Sequence, residues 1–146
     1  MTDTKINPAD QVRALLDSSR CIAVVGLSSK VHRASYQVAA YLQQQGYRII
    51  PVNPREAGNR ILGEYCYASL IQAAHQHQID IVDCFRKAED IPPVVAEAIA
   101  IGARCVWMQT GIEHAGAAQL ARQAGLMVIE NLCLKVAHQI RHGADE

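Results

Sequence analysis

A doubly wound α/β fold around a five-stranded parallel sheet is predicted for this chain of 146 residues by three observations. Short apolar runs of strand length alternate with segments of helical period. Three helical segments end in glycine, at Gly46, Gly102 and Gly125, and each turns directly into the next apolar run. The runs themselves are almost continuously apolar, as parallel strands covered on both faces must be.

Taken in order, Ile22-Ala23-Val24-Val25 is the first strand and opens onto Gly26. Residues 35–45 read as a helix with Val38, Ala39 and Leu42 on one face, and residues 47–52 as the second strand. Ser69 caps a short helix through Leu70, Ile71, Ala73 and Ala74; residues 79–83 are the third strand. Pro92 and Pro93 start a helix running to Ile101, followed by the fourth strand at 104–107. A helix over 113–123 leads to the fifth strand at 126–129. Ahead of these, Asn7-Pro8 reads as a cap and first position for a helix through about residue 17, and Leu134 to Ile140 form a last helix. Right-handed crossovers make this a Rossmann-like sheet, with expected strand order 3-2-1-4-5, in a single domain over 1–146. The longest irregular stretch, 54–68, has the length at which loops tend to carry function.

Fourteen basic and fourteen acidic side chains cancel, so no global positive field is available to hold a nucleic acid. The N-terminus is polar, unlike a signal peptide, and no apolar run approaches the ~20 residues that span a bilayer; a soluble cytoplasmic protein is expected. The five cysteines include no Cys-x-x-Cys pair, and Cys21 and Cys105 lie in strand-like runs as buried, inert thiols. No metal-ligand spacing is present. Asp80 and Asp83 are not spaced as an acid–base pair, and His75 and His77 read as solvated. His138 with Cys133 or Cys84 could be drawn as a nucleophile pair, but the expected strand order sends Cys84 and Cys133 to opposite edges. No catalytic residue is assigned.

Ligands of open parallel sheets sit at the carboxyl ends of the strands. The loop after the first strand contains Gly26, Ser28, Ser29, Lys30, Arg33 and Ser35: a glycine for close backbone approach, hydroxyls, and two cations before a helix start that favours an anion. It is neither a P-loop nor Gly-x-Gly-x-x-Gly. After the second strand, Asn53, Pro54 and Arg55 stand where an NAD site would carry an acid. Arg55 suits a phosphate on the ribose, as in coenzyme A or NADP. Phe85 and Arg86 follow the third strand, where they could flank an adenine and a phosphate; Gln109 and Gly111 follow the fourth.

These residues sit within a wider pattern. It comprises Ala23-Val24-Val25-Gly26-Leu27-Ser28, Gly46-Tyr47-Arg48-Ile49-Ile50-Pro51-Val52-Asn53-Pro54, Ile61-Leu62-Gly63, Asp80-Ile81-Val82-Asp83-x-Phe85-Arg86, and Val106-Trp107-Met108-Gln109-x-Gly111-Ile112. With it the chain resembles the stand-alone CoA-binding proteins of bacteria and archaea, which are similar to the nucleotide-binding domain of the succinyl-CoA synthetase α subunit. The resemblance implies a Rossmann-like fold and coenzyme A or acyl-CoA held by Gly26, Ser28, Lys30, Arg33, Asn53 and Arg55, with Phe85, Arg86 and Gly111 nearby. Arg55 stands where the family often has Lys, and Asn131-Leu132-Cys133 lacks the Arg usual before the cysteine. The synthetase's phosphorylated histidine lies in a further domain, so the resemblance implies a non-catalytic binder: a carrier, a sensor, or the partner of an enzyme. The other readings are an NADP-linked or other nucleotide-using enzyme, and an interaction module, with a protein partner or self-association open to either.

Overall fold

A computed structural model of the chain describes residues 8–143; Asn7, the expected first cap, lies outside the described residues. Helix α1 (Pro8–Ser18) leads into β1 (Cys21–Val25), α2 (Ala34–Gln44) and β2 (Arg48–Val52). A 3₁₀ turn (Pro54–Glu56) and a small hairpin, β3 (Arg60–Ile61) with β4 (Glu64–Tyr65), fill the long irregular stretch. Then come α3 (Leu70–Ala74), β5 (Ile81–Cys84), α4 (Ile91–Ala100), β6 (Cys105–Met108), α5 (Ala115–Gln123), β7 (Met127–Ile129) and α6 (Leu134–Gly143). Gly46, Gly102 and Gly125 take φ of +103°, +73° and +92°, the left-handed geometry that ends a helix and that residues with a Cβ rarely adopt. Ser69 Oγ accepts the Gln72 N–H as the expected cap of α3.

The main sheet is parallel throughout, in the order β2-β1-β5-β6-β7. Counted over the five predicted strands this is 2-1-3-4-5, not 3-2-1-4-5. The third strand lies in the centre, and the second is an edge. The physical reason is visible on the outer side of β2. Tyr67 forms an isolated parallel bridge there, donating its N–H to Pro51 O (3.0 Å) and accepting from Asn53 N–H (2.9 Å). A third strand cannot add where Tyr67 already pairs. Pro51 faces the same side, and a residue without an N–H is tolerated only at such an edge.

The helices form two layers. On one face α3, α4 and α5 contribute Leu70, Ala73, Val95, Ala98 and Ala118 to a core with Val25, Val82, Cys84 and Val106. On the other, α1, α2 and α6 contribute Leu15, Leu16, Val38, Leu42 and Leu134 to a core with Ile22, Val24, Ile81 and Trp107. β5 is buried on both faces, which fits its central position. Among the described residues no helix is long and apolar enough to cross a membrane.

Candidate functional site

The carboxyl ends of β1, β2 and β5 meet around Gly26. This glycine has φ +90°, and a Cβ built on it would lie 2.3 Å from the carbonyl oxygen of Phe85, just past the end of the neighbouring strand β5. Its N–H donates to Val52 O (2.8 Å), while Phe85 N–H donates to Val25 O (2.8 Å). Gly26 is therefore required by the close approach of three strand ends. A larger residue here would clash within the fold itself, before any ligand is considered.

Beyond Gly26, the loop N–H groups are satisfied by side chains. Ser28 N–H donates to Ser35 Oγ (3.1 Å), and Lys30 N–H donates to Ser28 Oγ (3.0 Å). Ser29 N–H donates to Oε2 of Glu56 (2.8 Å). Ser35 is buried and so belongs to the loop's internal bracing. The free backbone donors are those at the start of α2: its cap residue, Arg33, is extended and makes no side-chain capping bond. The eleven-residue helix thus points an uncapped, partly positive end at the cleft. Lys30 and Arg33 are exposed beside it.

The turn after β2 is tied to this loop. Asn53, largely buried, donates from Nδ2 to Leu27 O (3.0 Å) and accepts the Arg55 N–H at Oδ1 (3.0 Å). Its side chain is committed to joining two loops. Pro54 begins the 3₁₀ turn and lines a hollow of about 350 Å³ with Val52, Ala68, Arg86 and Val94. Arg55 projects from the turn into solvent. Glu56 was not anticipated: the expected absence of an acid after the second strand holds only for the strand's immediate end. Four residues on, the backbone turns and brings a carboxylate back to the first loop. The acid sought in a ribose-reading position was the available signal.

After β5, Phe85 is half-buried against the α1–α2–α6 core and Arg86 lies over Gly26, its Cδ 3.5 Å from the position a Cβ there would take. Arg86 borders both the first hollow and a second one of about 340 Å³, lined by Ala34, Phe85, Gln109, Thr110, Ile112 and Cys133. Gln109 lines the second hollow, yet its Oε1 accepts the Leu134 N–H (3.0 Å) and so caps α6. Gly111 donates its N–H to Asn131 Oδ1 (2.6 Å) and is likewise engaged in the fold. The second and third predicted strands flank β1 on opposite sides, and the two hollows are separate, with Arg86 bordering both.

Among the described residues, the side chains of Lys30, Arg33, Arg55 and Arg86 make no hydrogen bond or ion pair. All four lie around the loop after β1, and Glu56 is the acid held against that loop.

The remaining titratable groups are built into the fold. Cys84 faces the α3–α5 layer while Cys133 lies on the α6 side; the two are separated by the faces of the sheet, not by opposite edges as expected. Burial pushes the Cys21 thiol up to about 11 and the Cys84 and Cys105 thiols up as well. Asp83 is fully buried in mid-sheet with no hydrogen-bond partner among the described residues, and desolvation holds its carboxyl protonated well above the usual range. Asp80 accepts the N–H groups of Arg20 (2.8 Å) and Cys21 (3.1 Å), closing the start of β1. His77 is not fully solvated as expected: it meets Tyr67 Oη at 3.2 Å, and partial burial lowers its pKa. His138 is buried against Tyr41 (2.7 Å) and Arg141 (3.2 Å), in a hollow with Asp17 and Tyr47, and does not join Cys133 in the second hollow. The described residues contain no cluster suited to a metal ion.

Known proteins are similar to this chain in sequence and fold. YneT of Bacillus subtilis, an uncharacterised protein, is 38% identical over 135 residues, covering 92% of this chain and 97% of its own. A solved structure from Thermus thermophilus, cell-free ID.343, superposes with a TM-score of 0.88 at 34% identity, covering 93% of this chain and 99% of the other. A hypothetical protein from Pyrococcus horikoshii OT3 does so at 0.87 and 33% identity, covering 98% and 100%. RSP, a Rex-family repressor, shares the fold alone, at 11% identity and a TM-score of 0.56. The profile of the CoA binding domain matches residues 20–139, and with it the chain belongs to the CoA binding domain family.

Proposed function

We propose that the chain binds coenzyme A, or an acyl-CoA, by its phosphates at the carboxyl edge of the sheet, and serves as a carrier, a sensor or the partner of an enzyme. One observation carries this reading. Four cations without partners among the described residues surround an uncapped helix start, and a polyanion would satisfy all of them at once. The pyrophosphate would lie between the Gly26 turn and the first turn of α2, reached by Lys30, Arg33 and Arg86. The adenosine would enter the hollow beside β2, where Arg55 can meet the ribose phosphate. The pantetheine arm would run into the hollow lined by Gln109 and Cys133. The family membership supports the coenzyme.

Thermal unfolding in the presence of coenzyme A tests this. A ligand that binds only the folded state stabilises it by about 2.7 kcal/mol at a hundred times its Kd, a shift of several degrees. Dephospho-CoA is expected to bind more weakly, and Arg55→Ala to remove that preference. A clear shift with NADP and none with millimolar coenzyme A would replace this reading with that of an NADP-linked enzyme.

A further inference from the structure

We infer that Glu56 makes the site selective for a nucleotide whose ribose bears a free 2′-hydroxyl, and against one phosphorylated at that position. The inference rests on the coenzyme reading above and adds a discriminating residue to it. Glu56 reaches its place through a pinned turn. Its own N–H donates to Asn53 O (3.1 Å), and Asn53 in turn bonds Leu27 O and the Arg55 N–H. The Glu56 carboxylate is then anchored by one oxygen, Oε2, on Ser29 N–H at 2.8 Å. The other oxygen makes no hydrogen bond or ion pair among the described residues.

The placement is specific. An acid beyond the end of the second strand, facing the loop after the first, stands where doubly wound sheets read the ribose of a nucleotide. A carboxylate only accepts hydrogen bonds, so it pairs with a hydroxyl and repels a phosphate. Arg55, the adjacent residue on the same turn, supplies the opposite charge. The turn therefore carries one acceptor and one cation on consecutive residues, Glu56 against the loop and Arg55 toward solvent, and a ribose with one hydroxyl and one phosphate offers a partner to each. Coenzyme A carries its phosphate at the 3′ position and leaves the 2′-hydroxyl free; NADP is phosphorylated at the 2′ position.

The test is titration calorimetry of the full chain and of Glu56→Gln, with coenzyme A, adenosine 3′,5′-bisphosphate and adenosine 2′,5′-bisphosphate. Glutamine keeps an oxygen for Ser29 N–H, so the turn is retained. The unsubstituted chain is expected to prefer the 3′,5′ isomer by tenfold or more, the size of one charged hydrogen bond. Glu56→Gln is expected to narrow that preference about tenfold, chiefly by strengthening the 2′,5′ isomer. An unchanged preference in Glu56→Gln overturns the inference. So does an equal gain for both isomers, which would mean the carboxylate merely competes with any phosphate for Ser29. If coenzyme A binds and neither bisphosphate displaces it, the ribose contributes nothing and the inference is likewise wrong. If coenzyme A itself does not bind, the underlying reading falls first.

Discussion

At the amino edge of the sheet Arg48 meets Glu64 at 2.6 Å, Arg104 donates to the hydroxyls of Ser18 and Ser19, and Arg141 pairs with Asp17. At the carboxyl edge, around the loop after β1, Lys30, Arg33, Arg55 and Arg86 carry the same kind of charge and make no such pair among the described residues. Both edges belong to the same strands and are built from the same residue types. The difference lies in what the neighbouring loops supply. The amino edge meets Arg48, Arg104 and Arg141 with Glu64, serine hydroxyls and Asp17, while the Arg20 side chain there makes no such contact among the described residues. The one acid brought to the loop after β1, Glu56, is bonded to a backbone N–H instead. An edge that pairs most of its cations stabilises the fold; one that gathers four unanswered cations beside a helix start is organised for an anion from outside.

The largest effect that would test this division is expected where the carboxyl edge is itself structural. Gly26→Val places a side chain 2.3 Å from Phe85 O and demands φ +90° of a β-branched residue. Strain of about 1–3 kcal/mol and overpacking of about 1–3 kcal/mol add, so a loss of roughly 2–6 kcal/mol is expected. Urea denaturation reads it directly. A valine variant of normal stability would mean that β5 can retreat from β1, and that the glycine is there for a ligand after all.

Next in size are the cations themselves. Arg86→Ala is expected to weaken coenzyme A binding by tenfold or more, about 1.5–3 kcal/mol, and to leave unfolding unchanged within about 0.5 kcal/mol. Arg141→Ala should do the reverse: it removes a mostly covered guanidinium from its pair with Asp17, whose side chain is 52% exposed, costs about 1 kcal/mol of stability, and leaves the affinity alone. Calorimetry and denaturation on both variants give a crossed result if the edges divide as described. If both variants lose stability and neither loses affinity, the carboxyl-edge cations are ordinary surface charges.

Much of this organisation was legible before any coordinates. The glycine stops at Gly46, Gly102 and Gly125 and the apolar runs located all five main strands, because local backbone geometry and burial fix both. Strand order was not legible from the same cues. The right-handed crossover rule sets the hand of each unit but not the side on which the third strand docks. The deciding signal was Pro51, whose missing N–H belongs on an edge, together with Tyr67, which closes that edge from sixteen residues further along the chain. In the site, residue types near the strand ends were readable, but their commitments were not. Asn53, Gln109 and Gly111 look free in sequence and are engaged by Leu27, Leu134 and Asn131. Glu56 looks remote and is brought back by a 3₁₀ turn.

Between the two edges lies Asp83, in the central strand, buried and held neutral by desolvation. Its folded pKa is raised above the ordinary 3.8, so the native state binds the proton more tightly than the unfolded chain. The stability this confers is complete below that ordinary value and is lost as pH rises from there toward the raised folded pKa, at up to about 1.4 kcal/mol per pH unit. Asp83→Asn should flatten that slope and gain stability at neutral pH. Unfolding free energies from pH 4 to 8 for both proteins measure it, and identical slopes would mean that the carboxyl finds a partner or water in solution.

The smallest effect is expected at the amino edge, from Glu64→Gln. The Arg48–Glu64 pair is short, at 2.6 Å, yet the Arg48 side chain is 54% exposed. Solvent screens such a pair and ordering two long side chains offsets part of its attraction, so its removal should cost less than about 1 kcal/mol. The Glu64 carboxylate also raises the Arg48 pKa through their hydrogen bond, but arginine is already protonated throughout the accessible range, so no new pH dependence follows. What little the pair contributes should fall further in 1 M salt, where the Debye length is about 3 Å. Coenzyme A affinity should not change at all, because the pair lies at the start of β2 and Arg55 lies beyond its end. A measurable drop in affinity on Glu64→Gln would couple the β3–β4 hairpin to the turn that carries Arg55 and Glu56. The two edges would then be one mechanical unit and not two independent surfaces.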